Sequence, residues 1–302
     1  MSDLPPSRAH LDTERAHPAS AGLDRMSVAA AFDCMNALDA GIATAVAAAR
    51  EDIVAVIELV RERLSAGGRL VYVGAGTSGR LAVLDAVECP PTFQSDPERV
   101  QAVIAGGAAA LTGAVEGAED ERDGARAELD ARGIGRGDVV FGISAGGTTP
   151  FVEGALDHAR TRGAATVFFA CVSSAEVPDR ADFSIRVLTG PEALAGSTRL
   201  KAGTATKLVL NAVSTLAMAG LGKVYGNRMV DVNTLSNVKL RDRGIRLVCE
   251  LCDLDRAQAA RQLDRARGSV KLAVLMERHD LDPGPARERL AAAGGDLSRA
   301  LA

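Results

Sequence analysis

Three glutamates and two turns rich in hydroxyls and glycine are the residues of this sequence whose types and spacing suit catalysis. Glu88 stands in Asp85-Ala86-Val87-Glu88-Cys89-Pro90-Pro91-Thr92-Phe93. Apolar neighbours and two prolines are an unusual setting for a surface Glu, and removal from water would keep its carboxyl protonated, as a general acid requires. Glu116 and Glu119, in Val115-Glu116-Gly117-Ala118-Glu119-Asp120, are expected one helical turn apart beyond the second strand. Either could act as the complementary base. Pattern alone equally allows these acids to be helix starts that complement a macrodipole.

The first turn is Gly74-Ala75-Gly76-Thr77-Ser78-Gly79-Arg80, leading from an apolar run into a helix. Backbone N–H groups converging at such a helix start, with the Thr77 and Ser78 hydroxyls, favour a phosphate. Gly74, Gly76 and Gly79 formally match the dinucleotide fingerprint, but the next strand ends in Ile104-Ala105-Gly106-Gly107 and not in the acid that would hold a ribose. No Gly-Lys-Ser/Thr closes the turn as in a P-loop. The second turn is Ser144-Ala145-Gly146-Gly147-Thr148-Thr149-Pro150, with Pro150 suited to the first turn of a helix. Two such turns at the carboxyl ends of neighbouring parallel strands would face one crevice, where doubly wound sheets bind ligands.

The elements that must position these residues can be read from hydrophobic periodicity. Leu70–Val73, Val100–Ile104, Val139–Ile143, Thr166–Val172 and Phe183–Leu188 are short apolar runs rich in Val and Ile. Helix-length stretches separate them, including Arg80–Val87, Glu119–Arg132 and Pro150–Arg162. The alternation predicts an α/β fold with a doubly wound parallel sheet. Ahead of it, residues 1–25 read as an extended arm and Val28–Leu64 as two helices; Lys201–Leu221 reads as a long buried helix. The tail repeats itself: Asp253-Leu254-Asp255 recurs 27 residues later as Asp280-Leu281-Asp282, and Leu263, Gly268 and Val270 match Leu290, Gly295 and Leu297. Each unit reads as Asp cap, helix, Gly stop, helix. The expected divisions are 1–50 for the N-terminal arm and helix, 51–235 for the sheet domain and 236–302 for a small helical module.

Composition narrows the function classes. The 302 residues are 47% hydrophobic and 25% charged, as in ordinary folded proteins. A net charge of −4, with no Trp, 7 Phe and 2 Tyr, offers neither the electrostatics nor the stacking platforms for nucleic acid. Asp3, Pro5, Pro6, Asp12, Glu14 and Pro18 interrupt any apolar signal core, and no run reaches the roughly 18 to 20 apolar residues of a membrane span. Five Cys without a signal segment suit a reducing compartment, so a cytoplasmic location is expected. Cys249 and Cys252 form C-x-x-C without a second Cys or His pair at zinc spacing, and read as apolar residues one helical turn apart. No metal and no cofactor are expected.

Taken in order, these motifs resemble the N-acetylmuramic acid 6-phosphate etherase family. Gly74–Leu81, Glu88-Cys89-Pro90-Pro91-Thr92 and Glu116-Gly117-Ala118-Glu119-Asp120 carry the likeness. It continues through Gly196–Ala205, Gly222–Asn227 and Met229–Val232, and includes Thr13-Glu14-Arg15 with Pro18. The resemblance implies a sugar isomerase (SIS) fold, a homodimer, and cleavage of the lactyl ether of a phosphorylated amino sugar in cell-wall recycling. It assigns the proton donor to Glu88 and the second catalytic carboxylate to Glu119 rather than Glu116. The substrate-binding set it suggests is Thr77, Ser78 and Gly79, then Ser144, Gly147, Thr148 and Thr149, with Ser197 and Lys201; Lys201 could equally cap the preceding loop. The chain departs from the family at the second turn, usually Ala-Ser-Gly-Arg-Thr-Pro. His17 replaces an Asn, and the segment Asn233–Val238 is one residue longer. Two other readings of such a sheet are an aldose–ketose isomerase, which often uses a His for ring opening, and a non-catalytic sugar-phosphate sensor like the glucokinase regulatory protein.

Overall fold

The computed structural model describes residues 7–302; residues 1–6, with Asp3, Pro5 and Pro6, lie outside the described part. Short 3-10 turns mark the arm at 12–14, 18–20 and 23–25. Three helices follow where two are expected: α1 (Val28–Asp39), α2 (Ile42–Ala48) and α3 (Arg50–Ser65). The extra break falls at Ala49, whose φ of −89° and ψ of 15° leave the helical region between α2 and α3.

The sheet has five parallel strands in the order β2-β1-β3-β4-β5. They are β1 (Leu70–Gly74), β2 (Val100–Ile104), β3 (Val139–Ile143), β4 (Ala165–Ala170) and β5 (Phe183–Arg186). The central β1 and β3 are buried at every position, which is why they read as unbroken apolar runs. Between strands lie α4 (Gly76–Phe93), α5 (Ala109–Thr112), α6 (Arg126–Ala131) and α7 (Pro150–Thr161). The first crossover moves from β1 to β2 and the later ones run the other way from β3, so right-handed connections put α4 and α7 on opposite faces. Side chains agree: the Tyr72 hydroxyl reaches Asp85 on α4, whereas Val71 and Val73 share a core cluster with Phe151 and Val152 of α7. The chain is thus α/β with a doubly wound parallel sheet.

Two expected helices differ in extent. The stretch from Glu119 to Arg132 divides into a 3-10 turn at Ala118–Asp120 and the short α6. In the other case α4 runs past Val87 through Pro90 and Pro91 to Phe93. Both prolines lie in its last turns, where they forgo the bonds to the Ala86 and Val87 carbonyls without ending the helix. The end comes at Gln94, which takes a φ of 46° and donates its N–H to the Pro90 carbonyl at 2.9 Å.

After the sheet come α8 (Lys201–Gly220), α9 (Val238–Cys252), α10 (Arg256–Arg265), α11 (Val270–Arg278), α12 (Pro283–Ala292) and α13 (Leu297–Leu301). The described chain forms two compact units, residues 7–86 with 98–214 and residues 87–97 with 215–302. In the second unit Val230, Val232, Val248, Leu263, Leu275 and Leu297 share one core. Asp255 caps α10 in a reciprocal capping box with Gln258, and Gly268 and Gly295 close their helix pairs at φ +82° and +79°. Lys271 is buried there. Its ammonium donates to Asp231 at 2.5 Å and to the Gly295 carbonyl at 2.7 Å, which ties the Met229–Val232 segment to the repeat. Cys249 and Cys252 lie one turn apart on α9, half-buried against this core, and burial pushes the Cys252 thiol up to about 11. No helix among the described residues is long and apolar enough to cross a membrane.

Candidate active site

In the order β2-β1-β3-β4-β5 the strand sequence reverses between β1 and β3, so the crevice of this sheet lies at their carboxyl ends. Gly74 is in register with Ile143, which brings the two hydroxyl-bearing turns out side by side, as their strand positions suggest. The first turn is held by close approach. A Cβ on Gly79 would stand 2.5 Å from Cγ1 of Ile104 on β2 and 2.7 Å from the Gly74 carbonyl oxygen. Only glycine lets the start of α4 sit this low on the strands. Thr77 and Ser78 therefore lie half-buried in the first turn of α4, where unpaired N–H groups and the helix dipole favour an anion.

An open cleft of about 190 Å³ adjoins this helix start, lined by Ala75, Gly76 and Arg80 on one side and by Glu116 and Glu119 on the other. The two acids are not one turn apart on a helix. Gly117 between them takes a left-handed φ of 76°, and Glu119 is the middle residue of the 3-10 turn after it. Both residues, exposed, still line one cleft, so geometry alone keeps either as a base. Arg80 is the residue the sequence reading left out. Its Nη2 donates to the Gly113 carbonyl at 2.6 Å, which pins the 113–119 loop over the helix start.

The residues of the second turn do not line this cleft. Ser144 is buried and shares a 2.8 Å hydrogen bond with Thr149 Oγ1, while the Gly147 N–H donates to the Ser144 carbonyl at 2.9 Å. A Cβ on Gly147 would meet Val172 and Val177 at 3.1 Å, so this turn is tightly seated on the loop after β4. Thr148 and Thr149 are half-buried at the start of α7. The arm reaches the same place: the Asp12 N–H donates to Glu176 at 3.0 Å, and the Gly196 N–H donates to the Thr13 carbonyl at 3.0 Å. Thr13 is fully buried, its hydroxyl has no hydrogen-bond partner among the described residues, and a Cβ on Gly146 would stand 3.6 Å from it.

At the start of α8 a Cβ on Gly203 would lie 3.5 Å from the Thr77 methyl, so this helix begins beside the first turn. Its N-terminus already holds an anion. Glu192, fully buried, accepts from the N–H groups of Lys201 and Ala202 at 2.8 and 2.9 Å. Lys201 is buried as well, and its ammonium donates to the Thr189 carbonyl at 2.7 Å. Here Lys201 braces the preceding loop. Ser197 is half-buried in the turn that leads to it.

Glu88 corrects an expectation. It is exposed, not withdrawn from water, because α4 continues beyond it and it sits on the outer face of a helix rather than at a helix end. Leu84 and Val87, neighbours on that face, are also exposed, at 42% and 58%. Three residues earlier, Asp85 points inward and is buried; it accepts from Tyr72 and from Ser214 of α8, each at 3.1 Å, and burial raises its carboxyl above the ordinary range. Asp85 fixes which face of α4 turns outward. His158, the histidine an isomerase reading would test, shares a 2.8 Å bond with Asp130 on α6 and does not line the cleft.

Comparison with known proteins bears directly on this site. The family profile of the glucokinase regulatory protein N-terminal SIS domain matches residues 52–160, which contain β1 to β3, both turns and the three glutamates. N-acetylmuramic acid 6-phosphate etherase of Gloeobacter violaceus is 54% identical over 301 residues, covering 100% of this chain and 98% of that protein. The proteins of the same name from Synechocystis sp. and Nostoc sp. are 55% and 52% identical, covering 97% and 100% of this chain and 96% and 98% of their own lengths. With more than half of its residues shared along the whole chain, this SIS-fold protein belongs to the N-acetylmuramic acid 6-phosphate etherase family.

Proposed function

We propose that the protein cleaves the D-lactyl ether of N-acetylmuramic acid 6-phosphate, a carbon–oxygen lyase reaction completed by water addition, to give N-acetylglucosamine 6-phosphate and D-lactate. The observation that carries this reading is the placement of Glu119 in a cleft at the start of α4, within a chain over half identical to etherases along its length. In the open-chain sugar the C1 aldehyde acidifies the proton on C2. Glu119 takes that proton, and the resulting enolate pushes out the C3 oxygen. An alkoxide leaves poorly, so Glu88 protonates the departing lactate oxygen. Glu88, now a carboxylate, takes a proton from the water whose hydroxyl adds at C3, and Glu119 returns its proton to C2. These steps need only an acid and a base, and the proposed route passes through no metal. Thr77 and Ser78 anchor the phosphate, with Ser144, Thr148 and Thr149 on the neighbouring strand end, and spend its binding energy on orienting C2 and C3.

The working protein is proposed to be a cytoplasmic homodimer. Two features of the single chain support a second copy. Helix α1 has no buried residue, with Val28 and Phe32 exposed at 88% and 66%, and an isolated 12-residue helix is marginal in water. The face of α4 that carries Glu88 is likewise uncovered, and covering it with a partner would supply the dry setting a general acid needs. Incubation of the purified protein with the 6-phosphorylated muramic sugar, with coupled detection of D-lactate, tests the function. Lactate release supports the etherase, whereas aldose–ketose interconversion or binding without turnover would replace it.

A further inference from the structure

We infer that Arg80 is a substrate-positioning residue that receives the carboxylate of the lactyl group and so selects the acid form of the ether. This rests on the etherase reading. The substrate carries a second anion besides its phosphate: the lactyl carboxylate, two bonds from the ether oxygen on C3. If Glu119 reaches the proton on C2, this carboxylate must lie within a few ångströms of the same cleft. The acids lining that cleft, Glu116 and Glu119, would repel it. Arg80 is the cation among the described residues that line the cleft. Its half-buried side chain is oriented by one N–H of Nη2 on the Gly113 carbonyl, which leaves the second Nη2 N–H free to pair with that of Nη1 or of Nε along one edge of the guanidinium. A planar fork fixed along one edge is suited to a carboxylate, because two parallel N–H donors match its two oxygens. The start of α4, with Thr77 and Ser78, remains for the phosphate. The two anions of the substrate then fall on separate groups, and the lactyl arm is held where its oxygen leaves.

The test compares N-acetylmuramic acid 6-phosphate with the analogue whose lactyl carboxylate is converted to its amide, in wild type and in Arg80→Met, with N-acetylglucosamine 6-phosphate as a competitive ligand lacking the lactyl group. Wild type is expected to prefer the acid over the amide by about 10- to 100-fold in kcat/KM, the range of a charge-assisted bidentate contact. Arg80→Met should lose that preference, the acid-to-amide ratio of kcat/KM falling to near one whatever the loss of the Gly113 contact does to both rates, while the Ki of N-acetylglucosamine 6-phosphate, which lacks the lactyl group, reports any change at the phosphate site. Arg80→Lys, which keeps the charge without the fork, should retain part of the preference, and serves if the Met variant does not fold. Equal wild-type rates on acid and amide overturn the inference without any variant. A parallel fall on both substrates in Arg80→Met overturns it too, because Arg80 would then serve the phosphate or the 113–119 loop. Failure of wild type to release D-lactate from the acid removes the etherase reading, and this inference with it.

Discussion

The hydroxyl of Tyr72, on the central strand β1, donates to the buried carboxylate of Asp85 on α4 at 3.1 Å. The same carboxylate accepts from Ser214 and lies 3.9 Å from the Lys207 ammonium, so two helices and the sheet meet at one acid. Burial is the largest influence on it and raises its pKa, against the lowering by these partners. A carboxyl raised in the folded state binds its proton more tightly there than in the unfolded chain, so its contribution to stability falls as pH rises from 3.8 through the raised value. Asp85→Asn, which cannot ionise, should therefore gain on wild type as pH rises from acid towards neutral. Thermal melts of both proteins across that range measure the difference. A constant gap would show that Asp85 titrates normally.

Gly79→Ala should destabilise the fold by about 1–3 kcal/mol, the usual cost of overpacking. The added methyl meets Ile104 and the Gly74 carbonyl and must lift the start of α4 off β1 and β2. Urea denaturation gives the loss of stability, and the weakening of phosphate-bearing ligands gives the displacement of the helix start.

Gly146→Ser should do the reverse. The backbone at Gly146 has no positive φ, a Cβ there stands at ordinary contact from Thr13 Oγ1, and a serine hydroxyl would give that buried group a partner it lacks among the described residues. A gain of about 1 kcal/mol is expected from the hydrogen bond and the reduced freedom of the unfolded chain. Thr13→Val should gain as well in the wild-type background and abolish the benefit of the serine. A double-mutant cycle in urea separates the two.

Replacing the proposed acid and base should divide the reaction. Glu88→Gln is expected to lose lactate release by about 10²- to 10⁴-fold while keeping deuterium exchange at C2 from heavy water, whereas Glu119→Gln loses both. Glu116→Gln should retain most of the activity. Proton NMR of the substrate follows both events, and wild-type release from either of the first two variants would reverse the assignment.

Phe32→Asp places a charge on the uncovered face of α1. If a second copy covers it, sedimentation velocity should show a shift from dimer to monomer, with far-ultraviolet circular dichroism little changed. A wild-type protein that sediments as a monomer at micromolar concentration would dispose of the proposed pairing.

What the sequence by itself determined are the features whose cause is local. β2 and β3 have the boundaries their apolar runs predict and β1 begins where expected; β1 and β3 are legible because a strand buried on both faces must be apolar throughout, and the edge strand β2 because Val100, Val103 and Ile104 are still buried. The glycine and hydroxyl turns are legible because only certain residues fit a strand-to-helix reversal. The spacing of the three glutamates, with the motifs around them, was enough to point to the family. Tertiary structure decided everything that depends on elements distant in sequence. The β1–β3 reversal in strand order is set by the directions of the crossovers, and it is what makes neighbours of the two turns. With Gly117 left-handed between them, Glu116 and Glu119 line one cleft with Arg80, which no periodicity records. Glu192 takes the start of α8, which a motif reading would have left open to a ligand. Glu88 faces outward because Asp85, three residues before it, is claimed by Tyr72 and Ser214. A neighbour list along the chain cannot show which face of a helix the fold will spend on its interior.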